Sequence, residues 1–407
     1  MSIGSLALQD TAADSGRGVL ESRLTRLDRA DFARDVWART PLLTRAASDF
    51  SDLFSPDAVD ELISRRGLRT PFLRVAKNGT TLPDSSFTSS GGVGATITDQ
   101  LDDTALWRAF ADGATLVLQA LQRTWQPLTD FTSRLSTELG HPVQANAYVT
   151  PPQNRGFDDH YDVHDVFVLQ IAGTKRWVIH EPVHPDPLRD QPWTDHRAAV
   201  AEAARGEAAI DTLLEPGDVL YLPRGWLHAA EAQGEVSVHL TLGVHNVTRH
   251  ALAEHLVQAA LAQLRDDPAM RASLPLGVDA PDDASALVHE LAFVRERLAA
   301  ALTTSDPAPR FHRARRSQGR PEPMGPLSQL AAVQGLAADT PVRLRGALAA
   351  RLDGRRLHTR AGWLDFADPE LAQVRRLLDG GEHRTGDLGQ DLVVRLLRAG
   401  VVVPAAT

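Results

Sequence analysis

Cysteine is absent from the 407 residues. That excludes disulfides, thiolate metal sites and cysteine nucleophiles, so any bound metal must use histidine, aspartate, glutamate or backbone oxygen. Lysine is almost absent as well: of 43 basic residues only Lys77 and Lys175 are lysines, and the chain otherwise writes positive charge as arginine. No apolar run approaches the ~18 residues needed to span a bilayer. The opening MSIGSLALQDTAADSG has no basic segment ahead of an apolar one, so a cytoplasmic location without a membrane anchor is expected. There is no internal repeat and no phosphate-binding loop; SSGGVGAT at 89–96 lacks the following lysine of a P-loop and reads as a flexible loop.

What is present suits a globular chain of two or three domains, with 43% hydrophobic residues. The net charge of −9 is uneven. From Pro307 onward there are 16 Arg and 10 Asp plus Glu, a surplus of six positive charges that leaves −15 for residues 1–306. The interspersed acids mark a solvated surface, and direct nucleic-acid binding is not expected. Residues 1–19 read as a flexible N-terminus and 20–135 as mostly helical, with ALWRAFADGATLVLQALQRTWQPLTDFTSRLSTEL taken as one helical stretch that Gly140 and Pro142 stop. Between 143 and 248 come short β-type runs, VQANAYVT, DVFVLQI, RWVIH, DVLYLP and VSVHLTLGV. AGTK reads as a hairpin turn and EPGD as a tight turn, and strands at this spacing imply a sandwich or barrel. A helical pattern returns at 249–305, followed by a Pro/Arg-rich linker at 306–326 and a small α/β module at 327–407.

The stretch DDHYDVHDVFVLQ at 158–170 concentrates histidine and aspartate ahead of an apolar strand. In an extended strand His160, Asp162 and His164 would share a face, about 6.6 Å between neighbours and about 13 Å from first to last. Two of them can converge on one ion and three cannot, so the pair is His160 with Asp162 or Asp162 with His164. The third ligand lies elsewhere. His228, emerging after the bend in EPGDVLYLPRGWLHAA, is the natural one if the strands form a double-stranded β-helix. His239 shares a polar strand face with Ser237 and Thr241, opposite Val238, Leu240 and Leu242, and is expected to stand behind the ligands. Two imidazoles and one carboxylate form the facial triad of Fe(II) oxygenases. A 2-oxoglutarate co-substrate would then need a cation for its distal carboxylate, and Lys175 is the unusual lysine. Asn146 and Tyr148 share a strand face and could join the same pocket.

These segments, with DFARDVWARTPLL, LRVAKNG and ANAYVTPPQNRGFDDHYDVHDVFVLQIAGTKRW, resemble the Jumonji C oxygenases, specifically the ribosomal-oxygenase or cupin-4 group, over nearly the whole chain. The resemblance implies a mixed α+β fold. A double-stranded β-helix (jelly-roll) catalytic domain with N-terminal helices would occupy 20–248, a helical homodimerisation region 249–305 and a winged helix-like domain 327–407. It implies Fe(II) on His160, Asp162 and His228, with 2-oxoglutarate held by Lys175 and lined by Asn146, Tyr148 and Thr241. The implied activity is an O2-dependent dioxygenase that hydroxylates an arginine or histidine of a protein, with a ribosomal protein expected. Alternatives are tailoring of a ribosomally made natural-product precursor peptide, or a non-enzymatic nucleic-acid-binding regulator. One departure bears on the target. Where histidine-hydroxylating members carry a serine, this chain has Gly243.

Overall fold

The chain is described from a computed structural model covering residues 18–77, 79–94, 96–276 and 285–405. Most of the expected flexible N-terminus, Ala95 of the 89–96 loop and residues 277–284 of the expected dimerisation region lie outside the described residues. Two compact units divide at Asn246/Val247.

The first unit is built on a nine-stranded antiparallel sheet. Its strands are β1 Leu42–Thr44, β2 Leu73–Lys77, β3 Thr80–Thr81, β4 Thr115–Leu118, β5 Val143–Thr150, β6 Asp165–His180, β7 Ile210–Leu214, β8 Val219–Leu222 and β9 Leu227–Val244. The order is β1-β8-β6-β9-β5-β4-β2-β3, and β7 pairs with the far half of β6. Side-chain alternation explains the layering. Phe167 and Leu169 of β6, Ala145 and Ala147 of β5 and Leu240 and Leu242 of β9 face outward into one core with Leu20, Phe32, Leu62 and Phe131 of the N-terminal helices. Val166, Val168, Trp177, Ile179, Leu214, Leu220 and Leu222 make a second core. Both faces of β6 are therefore buried at its start, which is why DVFVLQ is almost continuously apolar. Each fully buried Leu or Phe contributes roughly 1.5–3 kcal/mol of transfer free energy.

AGTK is not a hairpin turn. Strand β6 continues through it, and β6 pairs with β9 on both sides of a register irregularity, from Val244↔Asp165 through Val238↔Ala172 and then from Gln233↔Thr174 to Leu227↔His180. Gly173 (φ 61°) makes the crossing, and a Cβ there would sit 2.1 Å from the Val236 carbonyl oxygen. The glycine that reads as a turn is instead a bend inside a strand. The helical reading of 103–139 is corrected in the same way. A helix at Asp103–Ala111 ends at Gly113 (φ 90°), the fully buried TLVL forms β4, and a new helix starts at Gln126 with Pro127 in its first turn and ends at Gly140 (φ 68°). The EPGD turn is present, with the Asp218 amide donating to the Glu215 carbonyl.

In the second unit, helices Arg249–Leu264 and Ser285–Thr304 pack through Ala260, Leu264 and Ala301. The expected linker is partly helical, Ala308–Gln318, because Pro307 and Pro309 fall at the helix start and the remaining prolines lie beyond its end. The C-terminal module has strand Pro341–Leu344 between Glu382–Arg384 and Val402–Pro404, a separate three-stranded sheet over 351–365, and helices that include Pro326–Gln334, Leu371–Leu378 and Gln390–Arg398. Gln329 ties it together from within, its buried amide donating to the carbonyls of Leu397 (2.8 Å) and Val402 (2.7 Å).

Candidate metal and co-substrate site

Beyond the crossing at Gly173, β6 and β9 bring a second set of inward residues opposite the first. Between the two lies a cavity of about 230 Å³. Arg74, Thr115, Tyr148, Val168, His239 and Thr241 line it from one side, and Lys175, Trp177, His228 and Ala230 from the other. His160, Asp162, Phe157 and Trp193 complete the wall.

His160 and Asp162 do not sit on a strand. The strand begins only at Asp165, and the segment before it is irregular, held by an isolated bridge in which His160 and His228 exchange backbone hydrogen bonds of 3.2 and 2.8 Å. The Gly225 amide donates to the Asp162 carbonyl (3.0 Å), clipping this segment to the bend in LPRGW. Buried Asp165 fixes that bend, accepting from the Tyr221 hydroxyl (2.6 Å) and the Arg224 amide (3.0 Å). Gly225 (φ 88°) is needed there, since a Cβ would meet the His184 carbonyl at 2.8 Å. The separation of 66 residues between Asp162 and His228 thus closes through three backbone hydrogen bonds and one buried carboxylate.

The result is a cluster in which one ligand atom from each of His160, Asp162 and His228 lies within 4.8 Å of the others. His160 Nδ1 is 2.7 Å from the Asp158 carbonyl and His228 Nδ1 is 3.1 Å from that of Trp226. A carbonyl can only accept, so each Nδ1 carries a proton and Nε2 is the ring atom of each that is left to ligate. Burial and the neighbouring His160 push the His228 pKa down to about 4, keeping it neutral. Burial would raise the Asp162 pKa, but the fields of His164, His228, His160 and Arg74 together hold it below the usual carboxylate value. The cluster thus combines two imidazoles with an ionised carboxylate. His164 is not in the cluster, so of the two pairs the spacing allows, His160 with Asp162 forms. His164 stacks on His245 (centroids 5.2 Å apart) and fills the space beside Gly243, where a Cβ would be 2.6 Å from His164 Nε2. The departure at Gly243 therefore has a steric cause in this chain.

Lys175 is 3% exposed. Its Nζ donates to the Thr150 hydroxyl (3.0 Å), which Thr115 also contacts (3.2 Å), and no carboxylate pairs with it among the described residues. Burial pushes its pKa down to about 7. A lysine in the expected turn would face solvent; placed two residues past the strand bend it points inward. Tyr148 stacks on His239 (4.9 Å, 3°), and Trp177 meets His239 edge-on (5.5 Å). Burial, with Lys175 and His228 nearby, holds the His239 pKa well below the usual imidazole value, and its Nδ1 and the Trp177 Nε1 are buried without a partner. Thr241 faces the cavity as its strand register requires. Asn146 does not line it: its Oδ1 accepts from the amide of left-handed Ala120 (3.0 Å). Sequence reasoning passed over Arg74, Thr150, Trp177, Phe157 and Trp193. The one signal for Arg74 is its place in a strand whose register leads through Val117 to Tyr148.

The fold and site define a cupin-like double-stranded β-helix carrying a His/Asp/His cluster at one end of its cavity. The JmjC domain family model matches residues 119–252, about a third of the chain. It is 27% identical over 279 residues to the bifunctional lysine-specific demethylase and histidyl-hydroxylase NO66 of Drosophila persimilis, covering 66% of this chain and 38% of that one. It is 35% identical over 174 residues to ribosomal oxygenase 1 of Rattus norvegicus, covering 42% and 29% respectively. The chain spans well under half the length of these relatives. Among solved structures, Escherichia coli ribosomal oxygenase YcfD superposes with a TM-score of 0.56 at 19% identity, covering 94% of this chain and 99% of that one. That protein is also known in complex with cobalt and 2-oxoglutarate. Among the described residues, no helix is long and apolar enough to cross a membrane.

Proposed function

We propose that this protein is an Fe(II)- and 2-oxoglutarate-dependent dioxygenase that hydroxylates a side chain of a protein, with a ribosomal protein as substrate and the cytoplasm as its working compartment. The observation that carries the reading is the pairing of an imidazole/carboxylate triad with a buried lysine that has no carboxylate partner among the described residues, in one cavity. His160, Asp162 and His228 would hold the metal. The donor set suits Fe(II): it has no thiolate, two free Nε2 atoms and one carboxylate, and it leaves ligand positions for a co-substrate. When bound, the metal couples decarboxylation of 2-oxoglutarate by O2 to insertion of one oxygen atom into a substrate C–H bond.

The chain's own residues do the rest. Lys175 and Thr150 receive the distal carboxylate, which supplies the counter-charge that Lys175 lacks. Thr241 and Tyr148 line the same cavity. Asn146 acts indirectly, by fixing the Ala120 turn behind the strand. Val166, Val168, Trp177 and Ala230 keep the interior apolar and limit water. Anaerobic addition of Fe(II) and 2-oxoglutarate is expected to produce the visible absorption of a keto-acid chelate, bleached by air with stoichiometric succinate. Mass spectrometry of ribosomal proteins incubated with the enzyme is then expected to find a gain of one oxygen. Absence of the chelate band would defeat the reading.

We also propose that 249–305 mediates a homodimer and that 327–407 is a winged helix-like domain. The exposed Leu252, Val257 and Leu261 on one helix and Leu287, Val288 and Leu291 on the other support the first. Leu261→Asp is expected to shift the sedimentation coefficient from dimer to monomer; an unchanged dimer would remove this assignment.

A further inference from the structure

The cavity wall carries one arginine, Arg74, that has no counter-ion among the described residues, and it is placed differently from Lys175. It projects from β2 at the flank of the sheet. Its guanidinium lies over the Phe157 ring, 4.9 Å from the centroid, with Tyr148 beside it. Its charge reaches Asp162, whereas that of Lys175 is felt at His239. The Arg74 Nε is buried and has no partner. Arg74 therefore stands beside the triad, at the edge by Phe157, with donors to spare.

The charge inventory of the wall then constrains what can enter. Asp162 is its only carboxylate among the described residues, and in the oxygenase reading a metal would claim it. A guanidinium or ammonium entering the cavity would meet Arg74 and find no free carboxylate, and burying an unpaired charge is strongly unfavourable. A side chain with a lone pair, such as a neutral imidazole, an amide or a carboxylate, would instead receive a charge-assisted hydrogen bond. We propose that Arg74 selects the side chain presented to the metal, favouring a neutral or anionic target that carries a hydrogen-bond acceptor and turning away arginine and lysine.

The proposal rests on the oxygenase reading, and its test separates the two. Protein loaded with Co(II) and 2-oxoglutarate is titrated at pH 8 with the N-acetyl methylamides of histidine, asparagine, aspartate and arginine, and paramagnetic broadening of probe proton resonances reports approach to the metal. In the wild type, the histidine, asparagine and aspartate probes are expected to bind about tenfold or more tightly than the arginine probe, the scale of one charge-assisted hydrogen bond. Arg74→Glu is expected to invert the order of aspartate and arginine, and Arg74→Gln to level aspartate with asparagine, which keeps a milder variant available if the charge reversal does not fold. Equal binding of the arginine probe in the wild type, broadening of no probe, or an unchanged order in the variants would overturn the proposal. So would loss of the Co(II)–2-oxoglutarate spectrum in Arg74→Gln, which would make Arg74 a co-substrate residue instead. Failure of the wild type to form that spectrum at all counts against the oxygenase reading.

Discussion

Alanine at His160 or Asp162 is expected to lower Fe(II) or Co(II) affinity by at least about 100-fold, because even an outer-shell partner of a metal ligand is typically worth 10–100-fold. Succinate formation is expected to vanish with it. The geometry makes the losses equivalent: the cluster has three ligand atoms within 4.8 Å and no fourth His, Asp or Glu among the described residues to substitute. His164→Asn is the informative comparison, since spacing alone admits a pair of Asp162 with His164. That variant is expected to retain the metal, because the His164 ring is stacked on His245 and packed against Gly243. Isothermal titration with Co(II) reads all three. Metal binding by Asp162→Ala at wild-type affinity, or its loss in His164→Asn, would move the ligand assignment.

Lys175→Met is expected to stabilise the ligand-free protein while removing 2-oxoglutarate binding. The buried ammonium has a threonine hydroxyl as its polar partner, and its pKa of about 7 records how poorly the interior tolerates the charge. The sign follows from linkage. Below pH 7 the lysine is charged both folded and unfolded, so the folded state bears the whole desolvation cost. Between pH 7 and the usual lysine value near 10.5 the folded state sheds its proton and the cost fades. The melting temperature of ligand-free Lys175→Met should therefore exceed that of the wild type most clearly at pH 6 and approach it by pH 10. Affinity runs the opposite way. The protonated lysine is the form that receives a carboxylate, so 2-oxoglutarate binding to the wild type should weaken above pH 7, by up to about tenfold per pH unit from this group, while the variant binds poorly throughout. Calorimetry over pH 6–10 checks both. A variant no more stable than wild type at pH 6 would mean that the lysine is compensated in the ligand-free fold. Such a cost, carried by the empty protein and offset by the ligand, is common where stability and function compete.

The grouping of His160, Asp162 and His228 was legible because metal chemistry restricts residue type. With no cysteine, HxD before an apolar strand and a histidine after a Pro-Gly bend leave few arrangements. The strand geometry used to pair them was nevertheless incorrect: the residues converge through an irregular segment held by Gly225 and the His160–His228 bridge. The face of β9 was read correctly from alternation, with Val238, Leu240 and Leu242 in the outer core and His239 and Thr241 at the cavity. Alternation is a local property, so it survives without knowledge of what lies opposite. Asn146 shows the limit. Its register matches that of Tyr148 and Thr241, but an amide two residues along the same strand is taken by Ala120 from a neighbouring loop.

Composition, residue types and side-chain period by themselves determined that any metal held by this chain is bound without sulfur, and that it has a β-rich region with one polar inner face and one lysine out of place among arginines. Tertiary structure alone decided where Lys175 points, because Gly173 continues a strand and does not turn it, and a glycine's permissive backbone is compatible with either. It also decided which imidazole joins Asp162, and that Arg74 stands on the cavity wall without a counter-ion among the described residues. Those outcomes depend on long-range backbone pairing, whose register is set jointly by both partners and by the bends between them.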